Sequence, residues 1–484
     1  MGFLRVFISL ALASSLAAVG AATLDARQPV RARHGMVVAM ESIAADVGVE
    51  VLKHGGNAID AAVAVGFAMS VTHPFAGNLG GGGYMLIRLA DGRTTFIDFR
   101  EKAPEKASHD MYLDADGNLT RDSIEGWRSS GVPGTVSGFE LAQSPYGGLK
   151  WAEDLAPAIA LASKGYTVSY ALAESLRGSH NLAKNEESRR IFQKNGAFYD
   201  PGDVLVQPEL AQTLTRISQG GAREFYEGET ARTLAAQMEK NGGLITLADL
   251  RNYTAAERTP LTGSYRNYTI VAAPPSSSGG IVLLQMLGML EGTGYEKAGF
   301  GSASAIHYMA EAMRRAYADR NTYVGDPDFI KVPIAGLLDP AYLAKRRESI
   351  DPERATPSAE IAPGHPAGSE HDETTHYSVV DAEGNAVAVT YTLNGGFGNG
   401  ITVRGLGFLL NNEMDDFASK PGEPNGFGLV QGEANAIAPS RRPVSSMVPT
   451  IVLRDGKLFM TAGAPGGSRI PTAVLQAILN VLDF

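Results

Sequence analysis

A threonine at the end of a linker-like segment is the first residue of this sequence whose setting could support chemistry. Residues 351–373 are rich in proline, glycine and charged residues and predict a mobile linker, which ends at Thr374. A short strand is predicted over 376–380, a turn over 381–385 and a second strand over 386–392. Considered alone, this stretch favours the ordinary interpretation, a loop followed by an edge hairpin.

A cut directly before Thr374 would change what this residue can do. The threonine would then carry a free α-amino group beside its own hydroxyl. Such an amine titrates near about 7.7–8.0, so it can act as a base near neutral pH, whereas an amide nitrogen cannot. A cleaved chain would therefore contain a nucleophile with its own base.

Further polar residues stand at the ends of predicted strands. Asn394 precedes a glycine-rich loop, and Glu413 and Asp416 belong to a cluster of three acids in four residues after the predicted strand 407–410. Such a cluster typically indicates a solvated turn or a calcium loop. Arg100 stands at the end of another predicted strand, where a single arginine is most often a solvated surface charge.

Two glycine-rich stretches were considered as anion sites. The run at 77–83 is followed by a strand pattern at 84–89 and lacks the Gly-Lys-Ser/Thr of a phosphate loop, so it does not predict nucleotide binding. The stretch at 464–468 opens a predicted helix over 469–482. Backbone N–H groups at a helix start suit an anion or a developing oxyanion, although a plain tight turn has the same composition.

The elements predicted to position these residues include both helices and strands. An amphipathic helix is predicted over 41–53, ending at a glycine pair, and Asn57 predicts the N-cap of a buried helix over 58–71. The remaining predicted helices cover 152–163, 170–176, 208–217, 228–240, 281–290 and 304–319, and the remaining predicted strands cover 94–99, 269–272, 450–453 and 457–462.

Composition excludes several functions. The chain has 484 residues, a formal charge of −10 and no cysteine. The acidic balance argues against nucleic acid or an anionic membrane as a partner. A chain without cysteine has no thiol nucleophile, disulfide or cysteine-ligated metal. None of the nine histidines lies in a metal-binding motif, so neither a catalytic metal nor a cofactor is predicted.

The first 22 residues set the expected location. A short basic start, an apolar stretch and small residues near position 22 predict a secretory signal peptide over 1–22. We therefore expect a periplasmic or extracellular protein that is not attached to a membrane after signal removal. An uncleaved membrane anchor is the alternative.

Seven motifs, taken together and in order, carry a family resemblance. They are GGNAIDAA (55–62), NLGGGG (78–83), DFR (98–100), TTH (374–376), NNEMDD (411–416), PVSSM (443–447) and PGGS (465–468). With these motifs the chain resembles the γ-glutamyltranspeptidases, also called glutathione hydrolase proenzymes, from about His34 to its last residue.

The resemblance implies an α+β fold, the four-layer αββα sandwich of the N-terminal nucleophile hydrolases. It also implies self-cleavage before Thr374 into a large subunit, 23–373, and a small subunit, 374–484, that remain together as a heterodimer. The implied substrates are glutathione and other γ-glutamyl compounds, with water or acceptor amino acids or peptides as the second substrate.

Site roles follow from the same resemblance. Thr374 matches the nucleophile and Thr392 the residue that supports its amine, while the amides of Gly466 and Gly467 match an oxyanion hole. Two sets match the residues that bind the amino-acid head of the donor: Arg100, Ser445 and Ser446 for its α-carboxylate, and Asn394, Glu413 and Asp416 for its α-amino group. The residue chemistry agrees, because a zwitterionic head needs a fixed cation for one end and acids for the other.

The sequence departs from the family pattern in two places. Family members usually continue beyond the helix that ends near residue 484, so the small subunit looks truncated, and the apolar residues of helix 469–482 are expected to need a covering layer. Phe427 stands where bacterial relatives often have a tyrosine, so an aromatic cover without a hydroxyl is expected over the pocket.

Two rival functions are kept. A β-lactam acylase of the glutaryl type has the same fold and nucleophile, but it would not need Glu413 and Asp416 for an α-amino group. An unprocessed binding protein or pseudoenzyme is the second rival. It would migrate as one band on a denaturing gel instead of two.

Overall fold

Helices and antiparallel strands alternate along the chain. The computed structural model describes residues 29–361, 374–426 and 428–484. The predicted signal peptide over 1–22, the part of the predicted linker at 362–373 and Phe427 lie outside these residues. Residues 35–484 form one unit, and the described residues before Gly35, which are 29–34 and contain no helix or strand, belong to a separate short unit.

The predicted helices and strands are present with similar bounds except at 407–410, and further elements were not predicted. The helices are α1 Ser42–Lys53, α2 Ala58–Thr72, α3 Thr135–Tyr146, α4 Trp151–Lys164, α5 Tyr170–Gly178, α6 His180–Lys184, α7 Glu186–Phe192, α8 Pro208–Gly220, α9 Ala222–Glu227, α10 Glu229–Lys240, α11 Leu247–Asn252, α12 Gly279–Leu290, α13 Ala303–Tyr323, α14 Ile334–Leu337, α15 Pro340–Glu348 and α16 Ile470–Leu482. The strands are β1 Met36–Val38, β2 Gly82–Arg88, β3 Thr94–Asp98, β4 Tyr166–Thr167, β5 Gln193–Lys194, β6 Ala197–Phe198, β7 Val204–Leu205, β8 Ala256–Arg258, β9 Leu261–Tyr265, β10 Tyr268–Ala272, β11 Thr375–Val380, β12 Ala386–Thr392, β13 Thr450–Arg454 and β14 Lys457–Ala462.

Two antiparallel sheets form the centre of the fold. The larger has the strand order β1-β11-β12-β2-β3-β8, and the smaller has the order β14-β13-β10-β9. The predicted hairpin is therefore the β11–β12 pair, and it lies inside the larger sheet and not at its edge. The interpretation of this stretch as an edge hairpin is wrong.

Successive side chains of β12 pack into two different cores, which shows how the layers stack. Val387 and Val389 belong to the core shared with α2, α3 and α4, whereas Ala386 and Ala388 belong to the core shared with the smaller sheet, α12 and α16. Successive side chains of a strand point to opposite faces, so one sheet can serve two cores. The layers run helices, sheet, sheet, helices, which confirms the predicted α+β class with αββα order.

Helix α2 anchors the strands that lead to the site. All of its residues are buried, and Asn57 caps its first turn through bonds from the backbone N–H groups of Ile59 and Asp60, at 2.8 and 3.1 Å. Tyr377 of β11 donates its hydroxyl to the Ala62 carbonyl at 2.9 Å, and Tyr391 of β12 does the same to a carbonyl one turn later. These bonds fix both strands on one rigid helix.

The glycine run at 80–83 lets strands approach closely. A Cβ at Gly81 would lie 2.1 Å from the Thr392 carbonyl oxygen, and a Cβ at Gly83 would lie 2.4 Å from that of Thr390. The run continues into strand β2 and not into a helix. It therefore serves strand packing, in agreement with the rejection of a phosphate loop.

One expectation about the small-subunit region is wrong. Residues 407–410 do not form a regular strand, because Gly407 has φ 76°, outside the extended region; Leu410 makes only an isolated bridge to Gly80. In α16, Ile470, Val474, Leu475 and Ile478 are buried in the core shared with α12, whereas Val481 is 53% exposed, so the expected covering layer stays a prediction. Among the described residues, no helix has the length and apolar character to cross a membrane.

Candidate active site

Thr374 and Thr392 face each other at the end of the β11–β12 pair. In this antiparallel pair Thr375 lies opposite Tyr391, so one further step of the register places Thr374 opposite Thr392. The two residues are 8% and 3% exposed, and both line one cavity of about 20 Å³, space for roughly one water molecule. The Thr392 hydroxyl also accepts a bond from the Asn394 N–H at 2.9 Å.

The same cavity collects the predicted site residues from distant parts of the chain. All of the ten except Gly466 line it: Arg100, Thr374, Thr392, Asn394, Glu413, Asp416, Ser445, Ser446 and Gly467. Gly466 lines a neighbouring cleft together with Thr374. The structure thus brings the other nine predicted residues around Thr374.

Arg100 is the electrostatic centre of the cavity. Its guanidinium is fully buried and pairs with the carboxylates of Glu413 and Asp416, one through each terminal nitrogen. Its Nε donates to the Pro443 carbonyl at 3.2 Å. The ordinary interpretation of this arginine as a solvated charge is wrong, as is the solvated turn proposed for the acids, because residues 413–416 form a 3-10 helix with Glu413 only 1% exposed.

One cation faces three carboxyl groups. Glu101 lies 3.6 Å from Arg100, and neither of its buried oxygens has a hydrogen-bond partner among the described residues. Burial raises the pKa of Glu101 to about 7 and that of Glu413 well above its usual range, while Arg100 opposes both shifts. Burial also raises the pKa of Asp416. Arg320 also lines the cavity and acts to lower the pKa of Asp416, and a further cation beside these carboxyl groups would favour their charged forms.

Backbone bonds hold the remaining side chains in place. Asn394 has φ 75°, a region that asparagine tolerates better than most residues, and its side-chain Nδ2 donates to the Asn412 backbone carbonyl at 2.9 Å. Ser445 is held through its backbone: its N–H donates to the Ser276 carbonyl at 3.2 Å, and its own carbonyl accepts from Ser278 N–H at 2.8 Å. The loop ahead of α12 thus fixes the position of Ser445.

The two glycines before α16 have left-handed backbone angles. Gly466 has φ 125° and Gly467 has φ 44°. Side chains rarely adopt such angles, so this turn favours glycine at both positions. The turn leads into a 3-10 turn, Gly467–Arg469, and then into α16.

Sequence reasoning missed two charged residues of the site. Arg320 lines the cavity from α13; its Nη1 donates to Gln431 Oε1 at 2.7 Å and its Nε to Ser278 Oγ at 3.2 Å, and burial lowers its pKa to about 10. No spacing rule marks Arg320, because only packing brings α13 to the cavity. Glu101 could have been suspected, since it directly follows Arg100.

Metal binding finds no support in the part of the chain that the structure describes. It contains no group of three or more His, Asp or Glu side chains that could hold a metal ion. The acids at Glu413, Asp415 and Asp416 are occupied by other partners: Asp415 accepts from Ser123 Oγ at 2.8 Å and from Gly426 N–H at 2.9 Å.

Comparison with known proteins decides the family. The family model described as Gamma-glutamyltranspeptidase matches residues 44–484. The chain belongs to the γ-glutamyltranspeptidase family. A relative from Escherichia coli (strain K12), named Glutathione hydrolase proenzyme, is 54% identical over 463 residues, which are 95% of this chain and 80% of the relative.

Solved structures from this family and from a related acylase match the fold of this chain. The γ-glutamyltranspeptidase of Helicobacter pylori matches with a TM-score of 0.68 and 44% identity, over 70% of this chain and 98% of that one. A cephalosporin acylase from Bacillus halodurans matches with a TM-score of 0.82 and 26% identity, over 95% of this chain and 83% of that one. The α+β fold of the N-terminal nucleophile hydrolases is thereby confirmed for this γ-glutamyltranspeptidase family member.

Proposed function

We propose that this protein is a self-cleaving γ-glutamyltransferase and glutathione hydrolase. In this proposal the donor is glutathione or another γ-glutamyl compound, and Thr374 takes its γ-glutamyl group as an ester. The observation that carries the proposal is the charge arrangement around Arg100. The cavity beside Thr374 is lined by two buried cations, Arg100 and Arg320, and by two acids that pair with Arg100. A cation suits a carboxylate, and the acids suit an ammonium.

Donor binding exchanges one set of ion pairs for another. The α-ammonium of the donor takes Glu413 and Asp416, and its α-carboxylate takes Arg100 with the hydroxyls of Ser445 and Ser446. Each charge keeps a partner through the exchange, so no buried charge is left alone. The amino-acid head is then fixed, and its γ-carbonyl is directed to Thr374.

The acyl transfer uses the free α-amine as its base. The Thr374 Oγ attacks the γ-carbonyl carbon while its α-amine takes the hydroxyl proton, and the amides of Gly466 and Gly467 stabilise the oxyanion. The C–N bond then breaks, and the leaving amine takes the proton. Water or an acceptor amine attacks the resulting ester and restores the Thr374 hydroxyl, which is ping-pong chemistry.

The same hydroxyl generates the active chain. In the precursor, Thr374 Oγ attacks the carbonyl carbon of Glu373, the peptide C–N bond breaks, and an ester forms by N-to-O acyl shift. The shift itself frees the α-amine, and hydrolysis of the ester then separates the two chains and restores the Thr374 hydroxyl. The products are a large subunit, 23–373, and a small subunit, 374–484, held as a heterodimer because β1, β2, β3 and β8 pair in one sheet with β11 and β12.

Location rests on the sequence of the first 22 residues. We infer that this segment is a signal peptide and that the processed enzyme acts in the periplasm or outside the cell.

An acylase that removes a glutaryl group is the second candidate, and the likeness to a cephalosporin acylase is the observation that favours it. The two functions differ in one group, since a glutaryl chain lacks the α-ammonium of a γ-glutamyl chain. Purified protein should therefore be assayed with γ-glutamyl-p-nitroanilide and with its glutaryl counterpart. Two bands on a denaturing gel and at least about 30-fold preference for the γ-glutamyl compound support the proposal, because a lost charged partner costs about 2–3 kcal/mol. A single band, or preference for the glutaryl compound, contradicts it.

A further inference from the structure

Arg320 is a buried cation whose presence beside Thr374 has no explanation in the chemistry described so far. Its side chain lines the cavity and is 2% exposed, but it forms no ion pair within the described part of the chain. Its Nη2 is buried and has no hydrogen-bond partner among the described residues. Burying a charge in this way is costly, so we looked for a role of Arg320 in the site.

Two other nitrogens of Arg320 bond to separate segments of the chain. The Nε donates to Ser278 Oγ at 3.2 Å, and the Nη1 donates to Gln431 Oε1 at 2.7 Å. Ser278 directly precedes α12, whereas Gln431 follows the 3-10 helix at 413–416. The planar guanidinium therefore links two segments that both border the cavity.

Ser278 extends the first link to the side of the cavity that would bind a carboxylate. Its Oγ donates to the Ser445 carbonyl at 2.7 Å, and its N–H donates to the same carbonyl at 2.8 Å. In the proposed function, Ser445 binds the α-carboxylate of the donor. Arg320 thus fixes the hydroxyl that helps to hold Ser445.

Gln431 extends the second link to the side of the cavity that would bind an ammonium. Its Oε1 accepts bonds from Arg320 and from Asn435 Nδ2, the latter at 2.9 Å. Its Nε2 donates to the Asp416 carbonyl at 3.0 Å. Because the two bonds to Oε1 set the orientation of the amide, Arg320 directs the Gln431 Nε2 to Asp416.

The end of α13 that carries Arg320 is itself held firmly. The neighbouring residue, Asp319, is fully buried and accepts bonds from Gln285 Nε2 and the Tyr342 hydroxyl, both at 2.9 Å. It also pairs with Arg346 at 2.9 Å. These contacts tie α13 to α12 and α15, and a binding site keeps its geometry only when its supporting residues are fixed in this way.

We propose that Arg320 is a positioning residue that holds the two halves of the head site at a fixed separation. The carboxylate half contains Ser445, and the ammonium half contains Asp416. The proposal rests on the proposed function and adds a residue that determines selectivity for a head with both charges. An arginine suits this role because its rigid fork bonds in two directions, whereas a lysine presents one nitrogen.

Three inhibitors of the γ-glutamyl-p-nitroanilide reaction separate the two halves. L-Glutamate has both head groups, glutarate lacks the α-amino group, and 4-aminobutyrate lacks the α-carboxylate. An inhibition constant does not depend on how much of the protein is folded. A variant that is merely less stable therefore keeps all three constants.

Ser278→Ala and Gln431→Met each break one link. We expect Ser278→Ala to weaken glutarate and L-glutamate about fivefold, the scale of one lost hydrogen bond, and to leave 4-aminobutyrate unchanged. We expect Gln431→Met to weaken 4-aminobutyrate and L-glutamate by the same factor and to leave glutarate unchanged. Equal effects on all three ligands, or none, in these variants overturn the proposal.

Arg320→Met should combine the two patterns. We expect glutarate and 4-aminobutyrate to weaken about fivefold each and L-glutamate about 25-fold, because the losses of two independent links multiply. Arg320→Lys keeps the charge but cannot form both bonds, so it should not restore the three constants. Restoration by lysine, or a methionine variant that weakens glutarate alone, would assign Arg320 the role of a charge and overturn the positioning role. If Arg320→Met yields no folded protein, the two single-link variants decide.

Arg315→Met is the matched control. Arg315 lies on the same helix, is 2% exposed, pairs with Glu311 at 2.6 Å and does not line the cavity. We expect a lower unfolding temperature and unchanged inhibition constants for all three ligands. Weaker binding of these ligands in Arg315→Met would mean that any loss of a buried arginine from α13 has this effect, which overturns a specific role for Arg320.

The outcomes separate this role from the function itself. If the unchanged protein releases no p-nitroaniline from the γ-glutamyl donor, the proposed function fails. If it releases p-nitroaniline and L-glutamate inhibits it, but the variants do not discriminate between glutarate and 4-aminobutyrate as expected, only the assignment of Arg320 fails.

Discussion

Arg100 and Asp416 form an ion pair in which the guanidinium is fully buried and the carboxylate is 14% exposed. Their positions are 316 residues apart in sequence, and they meet on opposite sides of the predicted cleavage point. A donor that needs both residues must separate them and pair with each. Without a donor, the ion pair therefore holds both side-chain charges in place. In the proposed function these are the positions where they would bind the donor's α-carboxylate and α-ammonium.

Asp416→Ala should weaken donor use and leave self-cleavage intact. The change leaves the donor ammonium without a charged partner in a largely buried site, which costs about 2–4 kcal/mol in transition-state binding. kcat/KM for γ-glutamyl-p-nitroanilide measures this loss, and a denaturing gel measures cleavage. Asp416→Asn is the matched variant, since it keeps the shape and removes the charge. Full activity in both variants would remove Asp416 from the ammonium site.

Arg100→Lys should impair the enzyme although it conserves the charge. The planar guanidinium binds a carboxylate through two parallel bonds, and a lysine ammonium cannot reproduce this geometry. The loss should be large for γ-glutamyl donors and small for analogues that lack the α-carboxylate, as measured by kcat/KM for each. An equal loss for both kinds of donor would assign Arg100 a structural role only.

Donor affinity should increase as the pH rises from 6 to 8. The raised pKa of Glu101, about 7, means that its carboxyl gains negative charge over this range, and negative charge favours the donor ammonium. The inhibition constant of L-glutamate should fall by at most about tenfold per pH unit if one proton is released on binding. Glu101→Gln should flatten this dependence.

Glutarate is the control ligand for the pH experiment, since it differs from L-glutamate only in lacking the α-amino group. Its inhibition constant should not improve as the pH rises. A parallel improvement for both ligands would show that the titrating group does not act through the ammonium.

Much of this site was predictable from the sequence, and there are physical reasons why the rest was not. Thr374 and the acids at 413–416 lie in motifs whose residue types match the proposed chemistry. The burial of Arg100 was not predictable from its position at a strand end. It depends on Glu413 and Asp416, which lie 313 and 316 positions later in the sequence. Arg320 was missed because only the packing of α13 beside Ser278, just ahead of α12, brings its side chain to the cavity.

Gly466→Ala should lower kcat. Gly466 has φ 125°, where a side chain adds strain of about 1–3 kcal/mol, so the turn that lines a cleft with Thr374 and carries the proposed oxyanion donor would shift. Gly456→Ala is the control, because Gly456 also has a left-handed angle, φ 73°, but lies in the β13–β14 turn away from Thr374. Thermal unfolding should report a cost in both variants, and kcat only in the first. Equal kcat in the two variants would argue against an oxyanion role.

The N-terminal residue of the small fragment, determined by mass spectrometry, tests the central claim most directly. The account predicts that this fragment begins at Thr374, that Thr374→Ala remains one chain without activity, and that Thr374→Ser is cleaved and keeps some activity because it retains the attacking oxygen. A fragment that begins at Thr375, or a Thr374→Ala protein that is cleaved, would contradict the claim that one hydroxyl performs both cleavage and catalysis.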